Sequence, residues 1–475
     1  MNKKRSKRSQ LLLILTGPLA FALTVCALPS DIFTFSMRCA TGTLLWMICW
    51  WLFTPVDYPV VGMLPIALNA VFQMVPMQNV VSQFASSSII LVLSGMIISS
   101  AWSAAGLDKR LATMFLRCIG TSVRSQVVFW FLLSTAMSTM LTNLVVCATV
   151  TPIALAMLRY VGYGDVGNNR SSSMILMAIP WGVTVGGLAT PLGSASNLVI
   201  IEYIEKISGR EYYYLDWVMR FAPIMMVLVL SNILFLVLIS PKGEELPGSK
   251  EYLLNVKAQL GKMNRDEVTG LTVFAAAAIL SFTRDLYASI LPGLVPSYAF
   301  LVCAILLFFI PSVKGGRMVE WKHASTEINW GLLYMFGGAL ALGELLTGTQ
   351  ADIALGSIMG QLEIGGSFGV VFVILLFTLT ISDLTSNGAT AAMCMPVILT
   401  MANALDMNPI PLIYVGSIGV SLSYTMPTSI RAIPVGYGLK PSFMMKRGLI
   451  LSAIVVPLLS LTGWLLMEFW PAFST

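Results

Sequence analysis

The sequence predicts an all-α integral membrane protein built from two related halves, and three observations carry that expectation. Hydrophobic residues make up 57% and charged residues 11% of the 475, with a mean hydropathy of +0.83, whereas a soluble globule carries about 25% charged residues. Apolar runs such as 11–29, 218–240 and 448–467 match a hydrocarbon core of about 30 Å at about 1.5 Å per helical residue, while barrel strands would alternate over about ten. One small polar pattern also occurs twice. Thr142-Asn143-Leu144 precedes Pro152 and Ser386-Asn387-Gly388 precedes Pro396, each Asn nine residues before its Pro and the copies 244 residues apart. Nine to eleven spans are expected.

The chain opens with five Lys or Arg residues between Met1 and Gln10, followed by an apolar run ending at Ala27-Leu28-Pro29. That outline suits a signal peptide, but the many later spans favour an uncleaved first span with a cytoplasmic N-terminus in the cell (inner) membrane. The seven cysteines, Cys26, Cys39, Cys49, Cys118, Cys147, Cys303 and Cys394, have no paired spacing and suggest neither disulfides nor a metal centre. The single histidine, His323, lies in a polar connector and reads as surface. A net charge of +6 is no nucleic-acid signature, because the basic residues gather at span ends.

Next along the chain, Lys109, Arg110, Arg117 and Arg124 precede the first polar knot, so that segment is expected to enter from the cytoplasm. A Gly-Pro-rich break, Gly186-Gly187-Leu188-Ala189-Thr190-Pro191-Leu192-Gly193-Ser194-Ala195-Ser196-Asn197, follows it. Residues 241–270 carry charges of both signs and divide the halves. From His323 to Ile430 there is no Lys or Arg, and only acids such as Asp352 and Glu363 stand before the second knot, which reads as an external approach. The second break runs from Ser421 to Arg431, and Lys440, Lys446 and Arg447 bring the chain back inside before the last span. The stretch from Ser87 to Ala112 also weakly matches Trp330 to Leu355. Two halves entered from opposite sides make an inverted repeat.

The knots place oxygen ligands at matching offsets: Ser138, Thr142 and Asn143 in one, Ser382, Ser386 and Asn387 in the other. Hard cations such as sodium take several such oxygens, and a broken helix frees carbonyls for a cation and N-terminal amides for an anion. Irregular backbone survives at membrane depth only where it lines a cavity or is buried in protein. The competing reading, in which these polar residues only glue helices together, accounts poorly for two copies at equal spacing with opposite flanks.

A Ser-Asn-Thr-like tip, an Ala-Thr-Pro-x-Gly-x-x-x-Asn break, a second such tip and a second Pro-containing break, in that order, resemble the divalent anion/sodium symporter family over nearly the whole chain. The resemblance implies a homodimer of two-domain protomers, with scaffold and transport domains and two re-entrant hairpins, moving dicarboxylates, citrate or sulfate by an elevator motion with sodium as coupling ion. Residues 1–82 would be N-terminal scaffold spans, 83–240 the first half with its hairpin at 126–152, 241–270 the connector, and 271–475 the second half with its hairpin at 366–396. One cation site would use Ser138, Thr142, Asn143 and the backbone near Gly193; the other would use Ser382, Ser386, Asn387 and the backbone near Thr428. A small anionic substrate would meet Thr142, Asn143, Ser194, Asn197, Ser386, Asn387, Gly388, Ser429 and Arg431. No cofactor other than the ion is implied.

The chain departs from that pattern at four places. Leu144 and Gly388 replace the third tip hydroxyls, the second break is about two residues shorter, and Arg431 stands where the pattern has Asn. An ionised side chain near the membrane centre costs about 2.5–3.5 kcal/mol, so it has a partner or a task. Asp383 would steady its hairpin. Arg431 has two readings: its side chain snorkels to the cytoplasmic mouth, or its charge replaces a coupling cation and contacts the anion. No intramembrane histidine cluster, paired carboxylates or activated nucleophile points to an enzyme. Proton-coupled transport, anion exchange and a non-transporting sensor stay open beside sodium symport.

Overall fold

The computed structural model describes residues 7–53, 56–114, 120–359 and 366–475; Lys3, Lys4, Arg5, Arg117, Cys118 and Glu363 lie outside them. Among the described residues the architecture is all helical, with only two isolated backbone bridges, Ser122 with Glu245 and Pro311 with Arg317. Seven helices are long and apolar enough to cross a membrane, and four shorter apolar helices accompany them. This is a multi-pass membrane protein.

The helix order repeats. Ser87–Ala105 and Trp330–Thr349 each end in a left-handed residue, Gly106 (φ 86°) and Gln350 (φ 62°), and each is followed by a short helix, Leu107–Met114 or Ala351–Met359. Val123–Ser138 then corresponds to Gly366–Leu384, and Asn143–Tyr160 to Asn387–Ala404, the last pair being 18 residues each. Arg170–Leu188 and Pro409–Ser421 lead into the two breaks, and Tyr214–Ile239 and Pro441–Phe469 close the halves.

Hydrocarbon chains are as apolar as leucine, so close packing and hydrogen bonds, more than burial from water, hold such helices together. The helix Arg170–Leu188 is buried along its whole length from Ser171 onward, which suits a helix apolar all round. It lies against Val123–Ser138 through two glycines: a methyl group at Gly182 would collide with the Phe131 carbonyl oxygen, and one at Gly186 with that of Thr135. By contrast, Tyr214–Ile239 has two faces. Trp217, Phe221, Ile224, Leu228 and Asn232 are buried, whereas Leu215, Met219, Met226, Leu230, Leu234 and Leu238 are exposed at helical spacing, as on a lipid-facing stripe.

The connector 241–270 has helical structure of its own. It holds a helix, Ser249–Gln259, and then the start of Arg265–Phe282, whose first turn is closed by a reciprocal capping box between Asn264 and Glu267. Glu267 also pairs with Arg110 at 2.7 Å, and Arg110 donates to the carbonyls of Leu260, Gly261 and Lys262. That clasp fastens the connector to the first half. The helix Lys7–Ala27 packs on Phe35–Phe53, where the Trp50 indole donates to the Ile14 carbonyl at 3.0 Å. The six described cysteines are free thiols, and His323 is exposed.

Candidate functional site

Each knot is the turn between two helices, and each following helix starts at its Asn. Thr142 is the N-cap residue of Asn143–Tyr160, and its side chain makes no capping bond. Ser386 caps Asn387–Ala404 by accepting from the Ala389 amide at 3.3 Å. Behind both tips a Ser stands beside the Asn side chain, closely in the first and loosely in the second, where the Ser382 hydroxyl donates to the Val420 carbonyl at 2.7 Å. Ser138 Oγ donates to Asn143 Oδ1 at 2.6 Å, and Ser382 Oγ lies 3.5 Å from Asn387 Oδ1.

The first break packs against the first tip. Thr190 Oγ1 donates to the Thr139 carbonyl at 2.6 Å and accepts from the Gly193 amide at 3.1 Å. Asn197 Nδ2 donates to the carbonyls of Gly187 (2.7 Å) and Thr190 (2.9 Å), restoring partners that the interrupted helix forfeits. Gly193 fits only as glycine, since a methyl group there would stand 2.7 Å from the carbonyl oxygens of both Gly187 and Ser138. The carbonyl oxygens of Gly187 and Ser138 thus face the space beside Gly193, and Asn143 Oδ1 would lie 2.5 Å from a methyl group on Gly187. Nearby, Asn197 Oδ1 is fully buried without a hydrogen-bond partner.

The second break is held by charged groups. The Asp383 carboxylate accepts from the amides of Tyr424 and Thr425, both at 3.0 Å, and from Thr425 Oγ1 at 2.6 Å. Thr428 Oγ1 donates to the Asp383 carbonyl at 3.1 Å. Arg431 is 1% exposed. Its guanidinium donates to the Met426 carbonyl (2.5 Å), to Ser423 Oγ, and to Thr428 Oγ1 (2.7 Å). Longer contacts of 3.3–3.5 Å reach the carbonyls of Ser423, Ser382 and Asp383. Ser429, in the left-handed region at φ 52°, turns the chain between these anchors.

Both tips open on one cavity of about 460 Å³. Thr142, Asn143 and Leu144 line it from the first tip, Ser386, Asn387 and Gly388 from the second, and Ser194, Ser196 and Ser429 from the breaks. The opposite wall includes Met335, Phe336, Leu332 and the Gly95 to Ser103 side of Ser87–Ala105. None of the described lining residues is basic. The polar groups it offers an anion are amide side chains, hydroxyls and the first amides of the helices starting at Asn143, Ala195 and Asn387.

Of the residues singled out from the sequence, Thr142, Asn143, Ser194, Ser386, Asn387, Gly388 and Ser429 meet in this cavity. Ser138, Gly193, Ser382 and Thr428 stand behind the tips, and Asn197 and Arg431 are buried in the breaks without lining the cavity. Arg431 thus neither snorkels to a surface nor reaches the cavity, because its donors are taken by the break itself. The absent hydroxyl at 388 has a packing reason. A methyl group on Gly388 would lie 2.6 Å from both Met335 Cε and Phe336 Cε1, so the wall already fills that space. Leu144, in contrast, is 56% exposed. Sequence reasoning missed Ser196 and the Met335-Phe336 wall; the weak repeat joining 87–112 to 330–355 was the signal nearest to the latter.

Comparison with known proteins places the chain among transporters. A protein family described as "Citrate transporter" matches residues 48–419. A sodium-dependent dicarboxylate transporter, SdcS, of Staphylococcus saprophyticus is 26% identical over 461 residues, covering 92% of this chain and 88% of that one. SdcS of Staphylococcus aureus is 26% identical over 457 residues, covering 92% and 87%. In fold, the chain is similar to the YdaH transporter of Alcanivorax borkumensis, whose crystal structure was described as having an unusual topology. The TM-score is 0.56 at 12% identity, over 91% of this chain and 99% of that one.

Proposed function

Because the chain belongs to the citrate transporter family, a family of transporters and not of enzymes, we propose that it carries a small di- or tricarboxylate or sulfate by sodium-coupled secondary transport, bound between the Asn143 and Asn387 tips. The observation that carries this reading is that both tips, far apart in sequence, line one cavity. With no basic side chain among the described lining residues, the anion is held by the two Asn amides, the Ser194, Ser386 and Ser429 hydroxyls and the helix N-termini, each a donor that favours negative charge. Sodium beside Ser138, Thr142, Asn143 and Gly193 supplies the compensating positive charge from behind the first tip. The second tip's cation position is formed by Ser382, Ser386, Asn387 and Thr428.

The repeated helix order supports an inverted repeat with two re-entrant hairpins, 126–152 and 366–396, carried in halves 83–240 and 271–475. Residues 1–82 contribute scaffold, the N-terminus is cytoplasmic, and two copies form a dimer whose transport domains move as elevators. A thermal-shift screen of the purified protein tests the binding step, since a ligand of the folded state raises apparent stability by mass action. Citrate, succinate, tartrate or sulfate should raise the melting temperature, more so with sodium than with choline. Stabilisation by none of them, or equal stabilisation in Asn143→Ala, overturns the reading.

A further inference from the structure

We propose that the guanidinium of Arg431 is a resident cation filling the second ion position, so that the protein binds no more than one sodium ion per chain. This rests on the reading that the tips form the transport site. The inference starts from an asymmetry between two polar residues that end corresponding breaks. In the first half that residue is Asn197, which is neutral; its amide nitrogen clips the break closed, and its Oδ1 is left buried and unpartnered. In the second half it is Arg431.

The atoms around Arg431 are what a hard cation requires. Carbonyl oxygens of Ser382, Asp383, Ser423 and Met426 and hydroxyls of Ser423 and Thr428 converge from tip and break. Ser382 and Thr428 are themselves members of the proposed second cation set. A guanidinium offers five N–H donors and keeps its charge at any physiological pH, so these oxygens already face a full positive charge. A sodium ion brought among them would meet that like charge at close range with little intervening water. Asp383 fits the same account. A carboxylate buried at a tip would otherwise call for a mobile counter-ion, and Arg431 supplies one covalently. Within the second break the buried side-chain oxygen left unpartnered is Ser421 Oγ, a lone hydroxyl that can also donate.

In the first half nothing of the kind intervenes. Ser138 Oγ donates to Asn143 Oδ1, the Gly187 carbonyl accepts from Asn197 Nδ2, Asn197 Oδ1 is unpartnered, and no cationic side chain donates to any of these oxygens among the described residues. One mobile ion position and one fixed charge follow from the same duplicated frame.

Equilibrium binding of radiolabelled sodium to the purified full-length protein, with and without citrate or succinate, tests the count. The wild type should bind at most one ion per chain with a simple hyperbolic dependence; two ions overturn the proposal. Arg431→Ser, which empties the cage, should gain one ion and a sigmoidal sodium dependence of its melting temperature, and Arg431→Lys should not. A folded Arg431→Ser protein that gains none also overturns it. Should that variant fail to fold, the wild-type count alone decides. Carboxylate binding that survives Asn143→Ala would instead overturn the transport-site reading, whatever the sodium count.

Discussion

Arg431 Nη2 lies 3.5 Å from the main-chain oxygen of Asp383, while the Asp383 carboxylate is turned to the amides of Tyr424 and Thr425. The two opposite charges share one buried corner, yet each is spent on backbone of the second break. The acid, from the tip, binds Tyr424 and Thr425, and the base, at the end of the break, reaches back to Ser423, Met426 and Thr428. A segment with no regular helix is thereby held from both sides without a ladder of its own.

Removing the acid leaves Arg431 without its nearest counter-charge and frees two buried amides. Asp383→Ala should destabilise the folded protein by about 3 kcal/mol, the scale for unpairing a buried charge. Thermal unfolding in a mild detergent reads this, and Asp383→Glu should recover part of the loss.

Asn143 and Asn387 both line the cavity and start the helices behind it. Asn143→Ala and Asn387→Ala should each lower carboxylate uptake into proteoliposomes at least about tenfold, equivalent to ~1.4 kcal/mol, while size-exclusion profiles stay unchanged. Wild-type uptake in either variant would count against a site at the tips.

Packing without tolerance should show at Gly186, where any side chain strikes the Thr135 carbonyl. Gly186→Val should cost about 1–3 kcal/mol or more through overpacking. Gly436→Ala, at a helical position with nothing within 4 Å of the added methyl, should leave the melting temperature within a degree or so of wild type, since surface changes of this kind stay near ±0.5 kcal/mol.

One acidic group outside the candidate spans has a pH signature. Burial pushes the Glu205 carboxyl up to about 7, and the neighbouring charges of Glu202 and Glu211 add to the rise, while a bond from the Tyr212 amide partly opposes it. The folded state thus keeps a proton that the unfolded chain loses near its ordinary value of 4.5. Stability from this group is full below that value and is lost as pH rises through about 7. Glu205→Gln should therefore melt higher than wild type at pH 8 and show a flatter profile from pH 5 to 8; identical profiles would contradict the assignment.

Much of the candidate site's local geometry was legible because its sequence signals are local. An Asn that starts a helix nine residues before a proline announces itself by composition, and so do two Gly-Pro breaks in apolar sequence. The direction of Arg431 was not legible, because whether a long side chain reaches a mouth, a substrate or its own loop depends on the curl of residues 423–431 round it. Nor could the sequence say why position 388 lacks a hydroxyl, since the obstruction comes from Met335 and Phe336 on a remote helix. The connector's own structure was not legible either. Mixed charge resembles a solvated loop, but the capping pair Asn264 and Glu267 and the Arg110 clasp give it structure.

Three bonds reach the second break from residues before the connector, one of them from Asn232 Nδ2 to the Tyr424 hydroxyl at 3.1 Å. The Trp181 indole, from the first half, donates to the Tyr424 carbonyl in the second at 3.3 Å, and Cys147 Sγ reaches the Ile430 carbonyl at 3.4 Å. The irregular backbone of the second break thus takes part of its hydrogen bonding from residues before the connector. Likeness between the two stretches does not make them interchangeable modules: without Trp181 and Cys147 the Tyr424 and Ile430 carbonyls would lose these donors at a depth where water cannot replace them.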